Sequence, residues 1–119
     1  MSRHWEECWR FKTANLVVVF EVAPCEDDPA DSFEFDDDIA AVRDGTVEWF
    51  DARVRVLLTD GRELGADYLA CCAYNTVREF YTSHREHKSG DYFTDMVREA
   101  CRYARQELAT IRGIRLRAA

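Results

Sequence analysis

In His84-Arg85-Glu86-His87 two imidazoles stand three residues apart, the spacing in this chain that comes nearest to metal chemistry. On a helix such a pair shares a face and could hold an ion with one further ligand, Glu86 being adjacent and Asp91 close behind. The H-E-x-x-H pattern of zinc hydrolases needs histidines at i and i+4 with a general base between them, and it is absent. A polar loop is the plainer account. A metal-dependent enzyme using His84 and His87 is therefore the weakest of the functional readings.

Cys8, Cys25, Cys71, Cys72 and Cys101 make an odd count with no C-x-x-C spacing, and Cys71-Cys72 falls in an apolar run. This argues against a disulfide framework and for reduced, mostly buried thiols. A cysteine nucleophile needs a base and an orienting group; Cys71 or Cys101 could meet His84 or His87 only through folding, and nothing in their spacing supports it. The five glycines form neither a phosphate-cradling loop nor a dinucleotide-binding fingerprint, and no G-x-S-x-G occurs. Catalysis lacks a foothold, so the chain reads as a non-enzyme with no cofactor.

Charge is the stronger signal. The net charge of −7 is unevenly spread. Between Glu26 and Asp51 eleven acids face one base, Arg43, so this stretch carries −10 and the rest of the chain +3. From Cys101 onward the sign reverses, with Arg102, Arg105, Arg112, Arg115 and Arg117 against Glu107 alone. Dense carboxylates on a small body repel nucleic acid and steer basic partners toward them. Direct nucleic-acid binding through this face is disfavoured, and Asp27, Asp28, Asp31, Asp36, Asp37 and Asp38 are the expected partner-binding residues. A solvated acidic loop is the bland alternative. Arg98, Arg102 and Arg105 recur on one helical side and could grip phosphates, but pairing with Asp95 or Glu99 along the same helix explains them as well.

The elements that must position these residues follow from periodicity. Phe11 to Val22 alternates with Ala14, Leu16, Val18, Phe20 and Val22 on one side, which predicts one long strand ended by Pro24. An irregular acidic stretch leads to a short helix from Asp36, whose first-turn carboxylates complement the helix dipole, with Gly45 just past its end. Thr46 to Leu58 predicts a second strand with Phe50, Ala52, Val54, Val56 and Leu58 inward and a bulge near Trp49. Asp60-Gly61 predicts a two-residue hairpin turn into a third strand over Glu63 to Tyr74, its later half buried on both sides. Thr76-Val77-Arg78-Glu79 matches a capping box opening a helix to about Ser83. A last helix from about Asp91 carries Phe93, Met96, Val97, Ala100, Ala104, Leu108 and Ile111 as one apolar stripe.

With 119 residues, 47% of them hydrophobic, the chain supports one core, and residues 1–119 are expected to form a single domain. The fold class is α+β: a three-stranded antiparallel meander with a long C-terminal helix on one face and one or two short helices. No apolar run is long enough for a membrane span, and Glu6 and Glu7 argue against a signal peptide, so a cytoplasmic location is expected.

The stretches from Asp60 to Leu69 (DGRELGADYL) and from Asp91 to Ala100 (DYFTDMVREA) resemble small uncharacterised proteins encoded on proteobacterial plasmids and prophages. The resemblance covers about the C-terminal half and implies an inhibitor of host defence, of anti-CRISPR or anti-restriction type. It carries no residue-level motif. Together with the charge it gives the leading expectation: an acidic surface that occupies the basic nucleic-acid channel of a host defence complex. The alternative is a homodimeric structural or accessory protein joined through a strand edge or through Trp5 and Trp9.

Overall fold

The structure is a computed structural model that describes residues 3–82 and 92–118, with side chains described as far as residue 113. Four strands, β1 (Glu6–Lys12), β2 (Leu16–Pro24), β3 (Glu48–Leu58) and β4 (Glu63–Tyr74), form an antiparallel sheet in the order β1-β2-β3-β4. Between β2 and β3 the chain leaves the sheet through a 3₁₀ turn at Pro29–Asp31 and helix α1 (Asp36–Arg43). Helices α2 (Val77–Thr82) and α3 (Tyr92–Ala118) follow β4. Among the described residues no helix is long and apolar enough to cross a membrane.

The α+β class and the long C-terminal helix are as expected, but the sheet has four strands, not three. The long first strand is instead a hairpin, reversing at Ala14-Asn15. Thr13 closes the turn: its amide donates to the Leu16 carbonyl at 2.9 Å and its Oγ1 accepts the Leu16 amide at 3.2 Å. Neither turn residue has a positive φ, so the Asn-Gly-like signature of a primed hairpin turn is missing from the sequence. Trp9 pairs with Phe20 across the new strand pair and packs edge-on against Phe93 at 5.3 Å.

Strand β3 buries Phe50, Ala52, Val54 and Val56 on one side. A bulge does fall next to Trp49, opposite Phe50/Ala52, but its additional residue is in β4 and not β3, as at a second irregularity opposite Val56/Leu57. Trp49 accordingly stays on the other side, where it meets Phe33 with ring centroids 5.7 Å apart. These bulges break the alternation of β4, so Tyr68 and Ala70 are exposed and its later half is not buried on both faces. The β3–β4 connection is a three-residue loop rather than a two-residue one. The Leu58 amide bonds the Arg62 carbonyl at 2.8 Å, the Gly61 amide bonds the Leu58 carbonyl at 2.9 Å, and Gly61 alone in the loop has a positive φ, 95°. That combination is a type I turn followed by a left-handed residue.

Helix α2 starts where the capping pattern places it. The Glu79 amide donates to Thr76 Oγ1 at 3.3 Å, while the Val77 amide is taken by Glu48 Oε2 of β3 at 2.7 Å. One aromatic, Phe80, is thereby driven into the sheet, stacked on Phe20 at 5.4 Å and edge-on to Phe50 and Tyr74. Helix α3 lays Phe93, Met96, Ala100 and Ala104 into the same core. It approaches β4 closely at Gly65, where a β-carbon would stand 2.7 Å from the Ala104 amide nitrogen and closer still to the Ala100 carbonyl.

Among the described residues no helix packs on the sheet's opposite face. Glu21 there bonds Arg53 at 2.9 Å and Arg55 at 3.3 Å, and Arg55 bonds Glu63 at 2.8 Å. Val19 lies in register between Arg10 and Arg55 and is 2% exposed. Burial alone would raise the Glu21 pKa, but the two guanidinium groups outweigh it and hold the carboxyl below its ordinary range.

Candidate functional site

The acidic stretch forms a lobe at one end of the sheet. It begins at Cys25, whose amide still bonds the Trp49 carbonyl at 3.2 Å, and it is anchored when the Trp49 indole donates to the Asp27 carbonyl at 3.0 Å. Asp28 caps the 3₁₀ turn by accepting the Ala30 amide at 2.9 Å and pairs with Arg43 at 3.1 Å. Those two contacts, the Ala30 amide first, hold the Asp28 carboxyl below the ordinary aspartate range. Helix α1 follows with no buried residue. Its C-terminal end is fixed by Gly45 at φ 82° and by a bond from the Val47 amide to the Ala41 carbonyl at 3.1 Å.

The six aspartates expected at the partner surface divide into two sets. Asp27 and Asp28 belong to the root of the lobe and are already engaged, Asp27 by the Cys71 thiol at 3.2 Å and Asp28 by Arg43. Asp31, Asp36, Asp37 and Asp38 are exposed, as are Glu26 and Glu34, and none of these acids forms an ion pair among the described residues. Asp36, Asp37 and Asp38 occupy the first turn of α1, where the helix dipole favours them. Beside them Phe35 is 69% exposed. The lobe thus presents carboxylates and one aromatic ring to solvent, mostly unneutralised by the chain's own arginines.

At the root of the lobe the fold assembles residues that sequence spacing does not connect. Cys25 and Cys71, 46 positions apart, hold their sulfurs at 3.5 Å. Asp51 of β3 lies between them, accepting the Cys71 amide on Oδ1 at 2.9 Å and the Arg3 guanidinium on Oδ2 at 2.6 Å. Burial alone would raise the Asp51 pKa, but the amide and Arg3 prevail and hold it below the usual aspartate range. Loss of water contact, reinforced by Asp27 and Cys25, pushes the Cys71 thiol up to about 12. Cys71 has a φ of 61°, the one positive value outside glycine among the described residues. It sits at the β4 bulge, which turns its side chain toward the lobe. All five cysteines are free, and only Cys72 is fully buried, so the expectation of mostly buried thiols is corrected.

Two of the three α3 arginines and both N-terminal tryptophans have partners within the fold. Arg98 pairs with Asp95 at 3.9 Å and Arg102 with Glu99 at 2.7 Å along α3. Trp5 lies under the guanidinium groups of Arg53 and Arg3, at 4.1 and 5.1 Å from the ring centre, and Trp9 is engaged by Phe93, which leaves Phe11, 55% exposed, as the open aromatic of β1. His84 and His87 lie outside the described residues.

Compared with known protein families, curated proteins and solved structures, the chain matches none. Functional reading therefore rests on the geometry of the lobe and its root.

Proposed function

We propose that this chain is a binding protein, not an enzyme, and that its acidic lobe engages a positively charged groove on a protein partner. In its specific form the proposal is a mobile-element inhibitor of anti-CRISPR or anti-restriction type, which fills the nucleic-acid channel of a host defence complex and blocks access sterically and electrostatically. The observation that carries it is the solvent-facing run Asp36-Asp37-Asp38 on a helix that has no fully buried residue. The exposed first turn of this helix presents its charges to solvent, and clustered carboxylates can stand in for spaced phosphates in a basic channel. Phe35 adds an apolar contact of the kind that anchors interfaces. Replacing Asp36, Asp37 and Asp38 by Asn tests this: association with the basic partner weakens and becomes less salt-dependent, whereas unchanged affinity at low salt removes the lobe from the interface.

A second reading, self-association along β1, is favoured by the exposure of Phe11 beside an apolar groove shared with Leu16, Val97 and Leu108. Sedimentation separates the two, since a monomer at every concentration excludes a homodimer.

A further inference from the structure

We propose that Cys25, Cys71 and Asp51 form a three-residue binding site for one thiophilic divalent cation of zinc's class. One donor atom from each of the three residues lies within 4.8 Å of the other two. In a tetrahedral centre with zinc–sulfur bonds of about 2.3 Å, two thiolate sulfurs stand about 3.8 Å apart. The observed 3.5 Å between Cys25 and Cys71 needs only a small adjustment to admit the ion. Asp27 Oδ2 lies 3.2 Å from Cys71 Sγ but outside the group of three converging donors. Two sulfurs with carboxylate oxygens suit a borderline-soft cation and not magnesium or calcium, which take oxygen ligands alone.

Sheet order explains how the two cysteines come together. Cys25 leaves the end of β2 and Cys71 belongs to β4, the two strands that flank β3. The two sulfurs meet across the end of the intervening strand, and that strand contributes Asp51 itself. Asp51 is oriented as metal ligands are oriented, through contacts behind it. The Cys71 amide and Arg3 each take one of its oxygens, and each carboxylate oxygen retains a second lone pair for the ion. Arg3 also donates to the Pro24 carbonyl at 2.6 Å, fixing the residue before Cys25. The left-handed backbone at Cys71 is a conformation that non-glycine residues hold mainly where the surroundings enforce it, often at functional sites. A cleft of about 340 Å³, lined in part by Phe33 and Ala70, opens at Cys71.

Binding exchanges the two thiol protons for two sulfur–metal bonds, so two protons are released per ion and affinity rises with pH. The ion would join Cys25 and Asp51, the two ends of the acidic lobe, to β4. The site involves no partner, so it stands or falls separately from the binding function.

Cobalt(II) is a suitable probe, added to the reduced, metal-stripped full chain. The expected result is one equivalent bound, with a sulfur-to-cobalt charge-transfer band and the visible bands of a tetrahedral site, both removed by an equivalent of zinc. Apparent affinity should rise by up to about a hundredfold per pH unit below the thiol pKa values. Cys25→Ser with Cys71→Ser abolishes the bands and Cys101→Ser leaves them. Asp51→Asn keeps an acceptor for the Cys71 amide and lowers affinity about tenfold while circular dichroism shows the fold intact. Absence of the charge-transfer band in the wild-type chain, or its survival in the double serine variant, overturns the site.

Discussion

Gly65 of β4 lies against Ala104 of α3 at backbone distance, with no room for a side chain between strand and helix: an added β-carbon would stand 2.7 Å from the Ala104 amide nitrogen. Small residues on both sides, Ala100 and Ala104 on the helix, each 2% exposed or less, let the two backbones approach. Because the obstructing atoms are backbone, no side chain can swing away to make space. Gly65→Ala should cost about 1–3 kcal/mol, seen as a lower urea midpoint at unchanged slope. A variant as stable as wild type would mean that α3 sits farther from β4.

Phe80 joins the two halves of the core. The short helix α2 carries no other buried residue, yet this ring stacks on Phe20 and meets Phe50, Tyr74 and Phe93 edge-on. Phe80→Ala should cost about 3–5 kcal/mol, combining lost transfer energy with the cavity left behind. Thermal unfolding followed by circular dichroism checks this, and a loss under about 1 kcal/mol would place Phe80 outside the core.

On the open face Glu21 is shared by Arg53 and Arg55, with its side chain only 13% exposed. Its folded pKa is lowered from 4.5, so its contribution to stability is complete above that value and is lost as pH falls through the lowered folded value. Glu21→Gln should destabilise the chain by about 1.5–3 kcal/mol at neutral pH, and the gap to wild type should close in acid. Unfolding curves at neutral and acidic pH decide it; a pH-independent gap would show that charge at Glu21 is not the stabilising element.

The parts of the fold that sequence made legible are those written in local chemistry. The bounds of β4 and the apolar stripe of α3 follow from side-chain period, and the entry to α2 from the Thr76 cap. The hairpin joining β1 to β2 escaped because Thr13 closes it with its own side chain and no glycine marks it. The β4 bulges escaped because an extra residue alters phase without altering composition, and they expose Tyr68 and Ala70. Of the candidate site, the acid run was plain to see. The cluster of Cys25, Asp51 and Cys71 was not, since sheet order, rather than any motif, brings together cysteines 46 positions apart.

The lobe's role is tested most directly with a partner in hand. A nucleic-acid-binding protein captured by the wild-type chain from a bacterial lysate is purified, and its affinity is measured for wild type and for the variant carrying Asp36→Asn, Asp37→Asn and Asp38→Asn, across a salt series. The prediction is binding about tenfold weaker at low salt for the variant, with a shallower salt dependence, and displacement of the wild-type chain by nucleic acid. Equal affinity and equal salt dependence for the two proteins would contradict it.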